Sequence, residues 1–293
     1  MIPPERQPRR HGPIDRGRTV KVIFWGVRGS IPVPGPDTVR VGGNTACVEI
    51  RTAEREVIII DAGTGIRLLG LDLAQRPTER LIAVLLFSHT HWDHIQGLPF
   101  FTPATERQTR VVILGERRMD RRLEQILADQ MVDAYLPFTL EDLLADLLIK
   151  EVHDGEKLVI GNSTSVLPKR LHHPGGVFGY RITCQGKTVV YASDVSHPVE
   201  EPDPALLDLA RDADLLIHDA QYTPEEKQRH ADWGHSSWTD AVRVAQQANV
   251  QRLALFHHDP LHTDDDLEEI ERQAQAVFSG AFLAREGMQI TIE

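Results

Sequence analysis

Residues 89–94 read His-Thr-His-Trp-Asp-His, and this run constrains the chain more than any other feature. Three imidazoles and one carboxylate fall within six residues, directly after the apolar run 82–87. A continuous apolar stretch of that length reads as a strand buried on both faces. The fold must therefore deliver a buried strand straight into a polar turn. Side chains two apart at a strand end meet at one point if the chain turns there, and Asp93 and His94 then face a second point close by. Neutral imidazole and carboxylate are the donors that borderline divalent metals take. A solvated histidine-rich loop is the ordinary alternative, and the interleaved aspartate argues against it.

More candidates stand where strands end downstream. His172-His173-Pro174-Gly175-Gly176 precedes a hairpin, Asp194 follows the apolar run 188–192, and His257-His258-Asp259 follows 252–256. Any one alone reads as a capping or surface residue. Together with the first run they supply donors for two metals that share one carboxylate. Fourteen histidines is a high count, and half of them sit in these groups. His258 reads as a supporting or solvent-exposed neighbour of His257. His153, His197 and His230 read as ordinary loop or surface residues.

The rest of the chain suggests how these points are held. Strands are expected at 20–27, 45–51, 56–60, 82–88, 177–184, 187–192, 213–218 and 252–256. Gln185-Gly186 suits a two-residue hairpin turn. Helical spacing of apolar residues marks Ile66–Leu73, 204–211, 238–248 and a last helix capped by Thr263. Residues 118–150 read as a helical insertion, with Leu123, Ile126, Leu127 and Met131 on one face and a second helical stretch over 140–148. Residues 1–18 are rich in arginine and proline and read as a solvated basic tail. No linker splits the remainder, so 19–293 reads as one domain. Gly42-Gly43-Asn44 is expected to let a loop approach the polar centre, and Gly63-Thr64-Gly65 to make a tight turn.

Charge and cysteine usage exclude several classes. Lys and Arg number 32 against 43 Asp and Glu, a formal net charge of −11. That global field does not gather polyanions, so stable nucleic-acid binding is disfavoured. Two cysteines, Cys47 and Cys184, cannot form a disulfide-rich scaffold. With no apolar span near 20 residues and no apolar leader, the expected location is the cytoplasm.

The His89–His94 run resembles the HxHxDH motif of the metallo-β-lactamase superfamily. Further segments match in order: Asp61 in IIIDAGTG, His173 in HHPGGVFGYRI, Asp194 in YASDVSH and His257 in LFHHDP. The resemblance covers about residues 20–293. It implies an α+β fold, the αββα sandwich, with two mixed β-sheets flanked by helices and a two-metal site between the sheets. By resemblance His89, His91 and His173 bind one metal, Asp93, His94 and His257 the other, and Asp194 bridges. Zinc is the expected metal, with manganese and iron as alternatives. Asp93 is expected to hold or deprotonate the nucleophile, and Asp61 to support the histidines by hydrogen bonding.

Two more motifs, His218-Asp219-Ala220 and Gly234-His235-Ser236-Ser237, look like the paired motifs of the phosphodiesterase branch. That branch includes the tRNA 3′-processing endonuclease and cyclic-phosphate phosphodiesterases. Carried over, Asp219 orients His235, and His235 protonates the leaving oxygen; capping of the following helix is the plainer role for His235. The endonuclease pattern departs here: the chain has no long Gly/Pro-rich basic arm, and residues 118–150 are partly acidic. A small or cyclic phosphodiester is therefore the expected substrate. Hydrolysis of a lactone or thioester, tRNA processing, and a metal-stabilised sensor are the alternatives. Homodimers are common in this branch.

Overall fold

A computed structural model describes residues 19–52, 56–76, 80–197 and 201–293. The tail expected over 1–18 lies outside the described residues. The first half contributes strands β1 (Val20–Gly26), β2 (Cys47–Arg51), β3 (Val57–Ile60), β4 (Ile82–Leu86), β5 (Arg110–Glu116) and β6 (Asp146–Val152). The second contributes β7 (Leu158–Ile160), β8 (Thr164–Leu171), β9 (Val177–Cys184), β10 (Lys187–Ala192), β11 (Leu215–Asp219), β12 (Leu253–Phe256), β13 (Ala281–Leu283) and β14 (Gln289–Ile292). They form two seven-stranded sheets, ordered β14-β1-β2-β3-β4-β5-β6 and β13-β12-β11-β10-β9-β8-β7. Each sheet is mixed. Strands β3 to β6 run parallel in one, and β10 to β13 in the other. Helices α1 (Ile66–Ala74), α3 (Leu123–Asp129), α4 (Pro204–Ala210), α6 (Trp238–Gln247) and α7 (Asp264–Val277) pack on the sheets, while the short α2 (Trp92–Ile95) and α5 (Pro224–Arg229) lie in the connections after β4 and β11.

Strand alternation explains the layering. Ile58 and Ile60 of β3 and Val84 and Leu86 of β4 face the second sheet, where they join Phe178, Tyr180, Leu215 and Leu255 in one core. The intervening Ile59 and Leu85 face outward, against Ile66, Leu69 and Leu73 of α1 and with Leu123 and Leu127 of α3 in a second core. Both faces of β3 and β4 are thus covered, which is why these strands read as unbroken apolar runs. Helix α7 begins at Thr263, whose side chain accepts from Asp266 N while Asp266 reaches back, a capping box. The Gln185-Gly186 turn has φ of 55° and 80°, the left-handed pair that tight hairpins need.

The segment 118–150 differs from the expected helical insertion. One helix, α3, is present, and Met131, Leu136 and Phe138 pack in the same core as its Leu123 and Leu127. Residues 140–142 make a single 3₁₀ turn, and the expected second helix is replaced by β6. Leucine content favoured a helix by propensity, but the free parallel edge of β5 takes up all seven residues of β6 in register. Tertiary pairing overrides a weak local preference. Among the described residues no helix is long and apolar enough to cross a membrane. Cys47 and Cys184 are free and buried.

Candidate metal centre

The parallel strands end on the same side, and their C-terminal ends carry the polar residues. Asp61 follows β3, His89 to His94 follow β4, Asp194 follows β10, Asp219 ends β11 and His257 follows β12. Asp61, Asp194 and His257 leave their strands with left-handed backbone, φ 61°, 54° and 60°. This conformation turns the chain sharply enough to aim each side chain into the space between the sheets, and it is a conformation in which aspartate and histidine are over-represented.

Two groups of donors result. One donor atom each from His89, His91, His173 and Asp194 lies within 4.8 Å of the others, and the same holds for Asp93, His94, Asp194 and His257. Asp194 belongs to both. The structure thus brings together all seven residues singled out in the sequence. Asp219 and His235 join His257 in an adjoining group.

The imidazoles are oriented by bonds on their far sides. His94 Nδ1 donates to Asp61 Oδ2 at 2.8 Å, His173 Nδ1 to the carbonyl of Gly234 at 2.9 Å, and His257 Nδ1 to Gln221 Oε1 at 3.1 Å. Ser88 Oγ donates to Asp61 Oδ2 at 2.8 Å and lies 3.1 Å from His89 Nδ1, whose proton it can accept. Each bond leaves the opposite nitrogen as a lone pair facing inward. His94 Nε2 and His257 Nε2 then stand 3.3 Å apart, and His91 Nδ1 and His173 Nε2 also 3.3 Å. His89 Nε2 is buried without a hydrogen-bond partner.

Lone pairs do not bind one another. Facing nitrogens, an orphaned buried nitrogen and nearby carboxylates fit a cation between them, so the residues present suit a metal of the imidazole and carboxylate type. The electrostatics favour the neutral form at three of the imidazoles, whereas at His94 burial is outweighed by Asp194, Asp93 and Asp61, which raise it well above its usual range. Burial pushes His89 well below its usual range and lowers His91 and His173. Burial opposes the charged form of Asp93 and of Asp194, but the surrounding histidines outweigh it and hold both carboxyls well below the usual range.

Asp219 is buried and serves three neighbours. Its Oδ2 lies 2.8 Å from His235 Nδ1, and its Oδ1 accepts from the backbone of Gln221 and Ser236, both at 3.1 Å. Burial opposes protonation of His235, but Asp219 overcomes it and raises the imidazole to about 9. The ring is stacked on His257, centroids 5.1 Å apart and planes 19° off parallel. His235 therefore bonds Asp219 through its side chain; the cap of α6 is Ser237 instead.

Several contributors were not singled out in the sequence. Gln221 orients His257, and Tyr191 donates to Asp61 Oδ2 at 2.7 Å. Ser30 N donates to Asp93 Oδ2 at 2.7 Å. Gln221 stands two residues beyond Asp219 at a strand end, the spacing already seen at His89 and His91, and that was its one legible signal. Tyr191 is an inward residue of β10 and carried none. Other expectations change. His197 is buried and stacked on buried His218, centroids 5.8 Å apart. His258 is also buried, bonding the carbonyl of Ala284. Gly42-Gly43-Asn44 does not itself reach the donors; Asn44 O accepts from Val27 and Arg28 and so holds the loop that does.

The family described as "Beta-lactamase superfamily domain" matches residues 56–258. The chain belongs to this family. Ribonuclease Z of Bacillus mycoides is 22% identical, with 94% of this chain and 100% of the relative aligned. Among solved structures, the metallo-β-lactamase fold protein YhfI from Bacillus subtilis superposes with a TM-score of 0.70 at 22% identity, covering 94% of this chain and 99% of that one. A diphosphatase from the PhnP family gives 0.69 at 18% identity, covering 94% and 97%. The short form of human tRNase Z gives 0.68 at 22%, covering 93% and 99%. The architecture is thus the metallo-β-lactamase fold, and the chain is a metal-dependent hydrolase of that superfamily.

Proposed function

We propose that this hydrolase cleaves a phosphodiester, small or cyclic, at a dinuclear centre. The observation that carries the reading is the Asp219–His235 pair set against His257 beside the metal donors. Hydrolysis of a phosphodiester expels an alkoxide, which leaves poorly without a proton. A carboxyl-oriented imidazole stacked on a metal donor supplies that proton at the right edge of the centre.

In this reading His89, His91 and His173 would hold one metal, Asp93, His94 and His257 would hold the second, and Asp194, which belongs to both groups, would serve both. Zinc fits the donor set best. When bound, the two cations make a water acidic enough to ionise near neutral pH and neutralise charge growing on the phosphoryl oxygens. Asp93, fixed by the N–H of Ser30 at 2.7 Å, orients the attacking water and accepts its proton. His235 protonates the leaving oxygen from Nε2, since Nδ1 is committed to Asp219. The 19–293 segment acts as one hydrolytic domain, because each sheet contributes donors to both groups.

The relatives named ribonuclease Z favour a second reading, cleavage at the 3′ end of precursor tRNA. The net charge of −11 and the lack of a long basic arm in the sequence favour the small ester.

The test uses metal-analysed protein against bis-p-nitrophenyl phosphate, a panel of cyclic nucleotides and a precursor tRNA. The expected result is turnover of the small esters, abolished in Asp93→Ala. His235→Ala should keep its metal and slow hydrolysis of poorly activated esters about 10²- to 10⁴-fold. Hydrolysis of lactones or thioesters with every phosphodiester left intact would overturn the proposal.

A further inference from the structure

Among the members of the proposed centre His91 is exposed and the side chain of His235 keeps 10% of its surface in solvent, whereas His89, Asp93, His94, His173, Asp194, Asp219 and His257 are buried. An exposed indole stands close to each of these two in the chain. Trp92, next to His91, is 70% exposed, and Trp233, two residues before His235, is 63% exposed. The chain has four tryptophans. Trp238 is buried and Trp25 bonds Glu49 through its indole nitrogen. Both indoles that the fold leaves largely in water therefore stand within two residues of a member of the centre.

Neither ring sits on a loose segment. Trp92 is the first residue of α2, the turn that also carries Asp93 and His94. Its carbonyl accepts from Gln96 N at 2.8 Å, within the same turn. Trp233 closes a short 3₁₀ turn, and its ring packs on His230 at 4.8 Å. His230 stacks on Tyr222 at 5.3 Å, and Tyr222 meets His235 edge-on at 6.0 Å. A column of rings thus runs from the exposed indole to the proposed acid. Rigid aromatic faces beside a phosphoryl-binding centre suit a flat ring carried by the ester, because stacking needs area and a fixed plane.

We propose that Trp92 and Trp233 recognise a nucleobase on the substrate by stacking on it, and so set the specificity of the centre. This rests on the phosphodiester reading above.

The test compares 2′,3′-cyclic AMP with methyl riboside 2,3-cyclic phosphate, which has the same scissile bond and no base. Metal-loaded wild type, Trp92→Ala, Trp233→Ala and the two Phe variants are assayed alongside their thermal melts. Wild type should prefer the base-bearing ester. Each Ala variant should cut that preference about 5- to 150-fold, mainly through KM, the range for one lost base–aromatic stack. Phe should restore most of it. A merely structural role would slow both esters alike and leave the preference intact, overturning the proposal.

AMP binding is measured separately by calorimetry. Binding to wild type that weakens in each Ala variant supports stacking, and equal binding to all, or none, overturns it. If neither ester is hydrolysed the phosphodiester reading fails, and the AMP titration still decides whether the indoles bind a base.

Discussion

Gly29→Ala tests how the second group of donors is positioned. A Cβ built at Gly29 lands 2.4 Å from His257 Cε1 and 2.5 Å from its Nδ1. Carbon atoms in contact prefer about 3.5 Å or more, so something must give by about 1 Å. The backbone at Gly29 lies outside the left-handed region, so alanine meets no conformational penalty of its own there. The loop cannot back away cheaply. Gly29 N bonds His258 O at 3.0 Å, and the buried Arg28 side chain donates to the carbonyls of Gly42, Asp259 and His262 at 2.8, 3.0 and 2.8 Å. The ring of His257 is left to move, away from Asp93 and Asp194, which it now faces at 3.1 and 3.3 Å. Metal ligation tolerates about 0.2 Å, and a misplacement of about 1 Å costs about 10²-fold in rate. The expected outcome is a folded variant, destabilised by about 1–3 kcal/mol, with less metal per chain and turnover down about 100-fold. Gly35→Ala is the control, because nothing lies within 4 Å of its added Cβ. Elemental analysis, circular dichroism and steady-state kinetics provide the readout. Full metal content with unchanged turnover in Gly29→Ala would refute the steric argument.

Three other outcomes follow from the geometry. Asp61→Asn keeps the left-handed backbone but turns an amide N–H₂ toward donors from Ser88, His94 and Tyr191, which now share Oδ2. Metal affinity should fall about 10- to 100-fold, as read by chelator competition, and an unchanged affinity would remove Asp61 from its supporting role. Buried Glu49 bridges Arg51 and Arg76, each at 2.7 Å. Burial opposes its ionisation, yet the two arginines outweigh it and hold the carboxyl below its usual range. Its stabilisation is complete above the unfolded value near pH 4.3 and is lost as pH falls through the lower folded value. Glu49→Gln should cost about 3 kcal/mol at pH 7, limited by the partial exposure of the arginines, and should flatten the acid limb of a urea-denaturation series. Chelation should lower the melting temperature of wild type, since metal at about 100-fold its Kd adds about 2.7 kcal/mol. A melt insensitive to chelator would mean that the donor groups close without a cation.

The donors were legible because of where they stand. His89, Asp194, Asp219 and His257 all end apolar strands, and a strand buried on both faces is visible as an unbroken apolar run. The β9–β10 hairpin was legible for a related reason, since Gln185-Gly186 carries its turn geometry in its residue types. What escaped depends on contacts distant in sequence. Tyr191 meets Asp61 across 130 positions, and nothing local marks it. β6 is a strand because β5 offers it an edge, whereas its own leucines suit a helix equally well. His197 gave no sign of burial because its cover, His218, comes from β11, distant in sequence.

The left-handed backbone at Asp61, Asp194 and His257 also governs how this centre can change. Only a few side chains accept that conformation without penalty: glycine, which cannot donate, and asparagine, aspartate and histidine, whose cost is small. Most other residues meet about 1–2 kcal/mol of strain there before any new coordination is gained. Exchange of Asp194 for glutamate, or of His257 for cysteine, therefore begins at a disadvantage that the metal must overcome. His89, His91, Asp93, His94 and His173 have no such restriction. Redesign of the centre toward a different metal has its freedom on the β4 turn and the 172–176 loop, while the three residues at the strand exits hold the chemistry where it is.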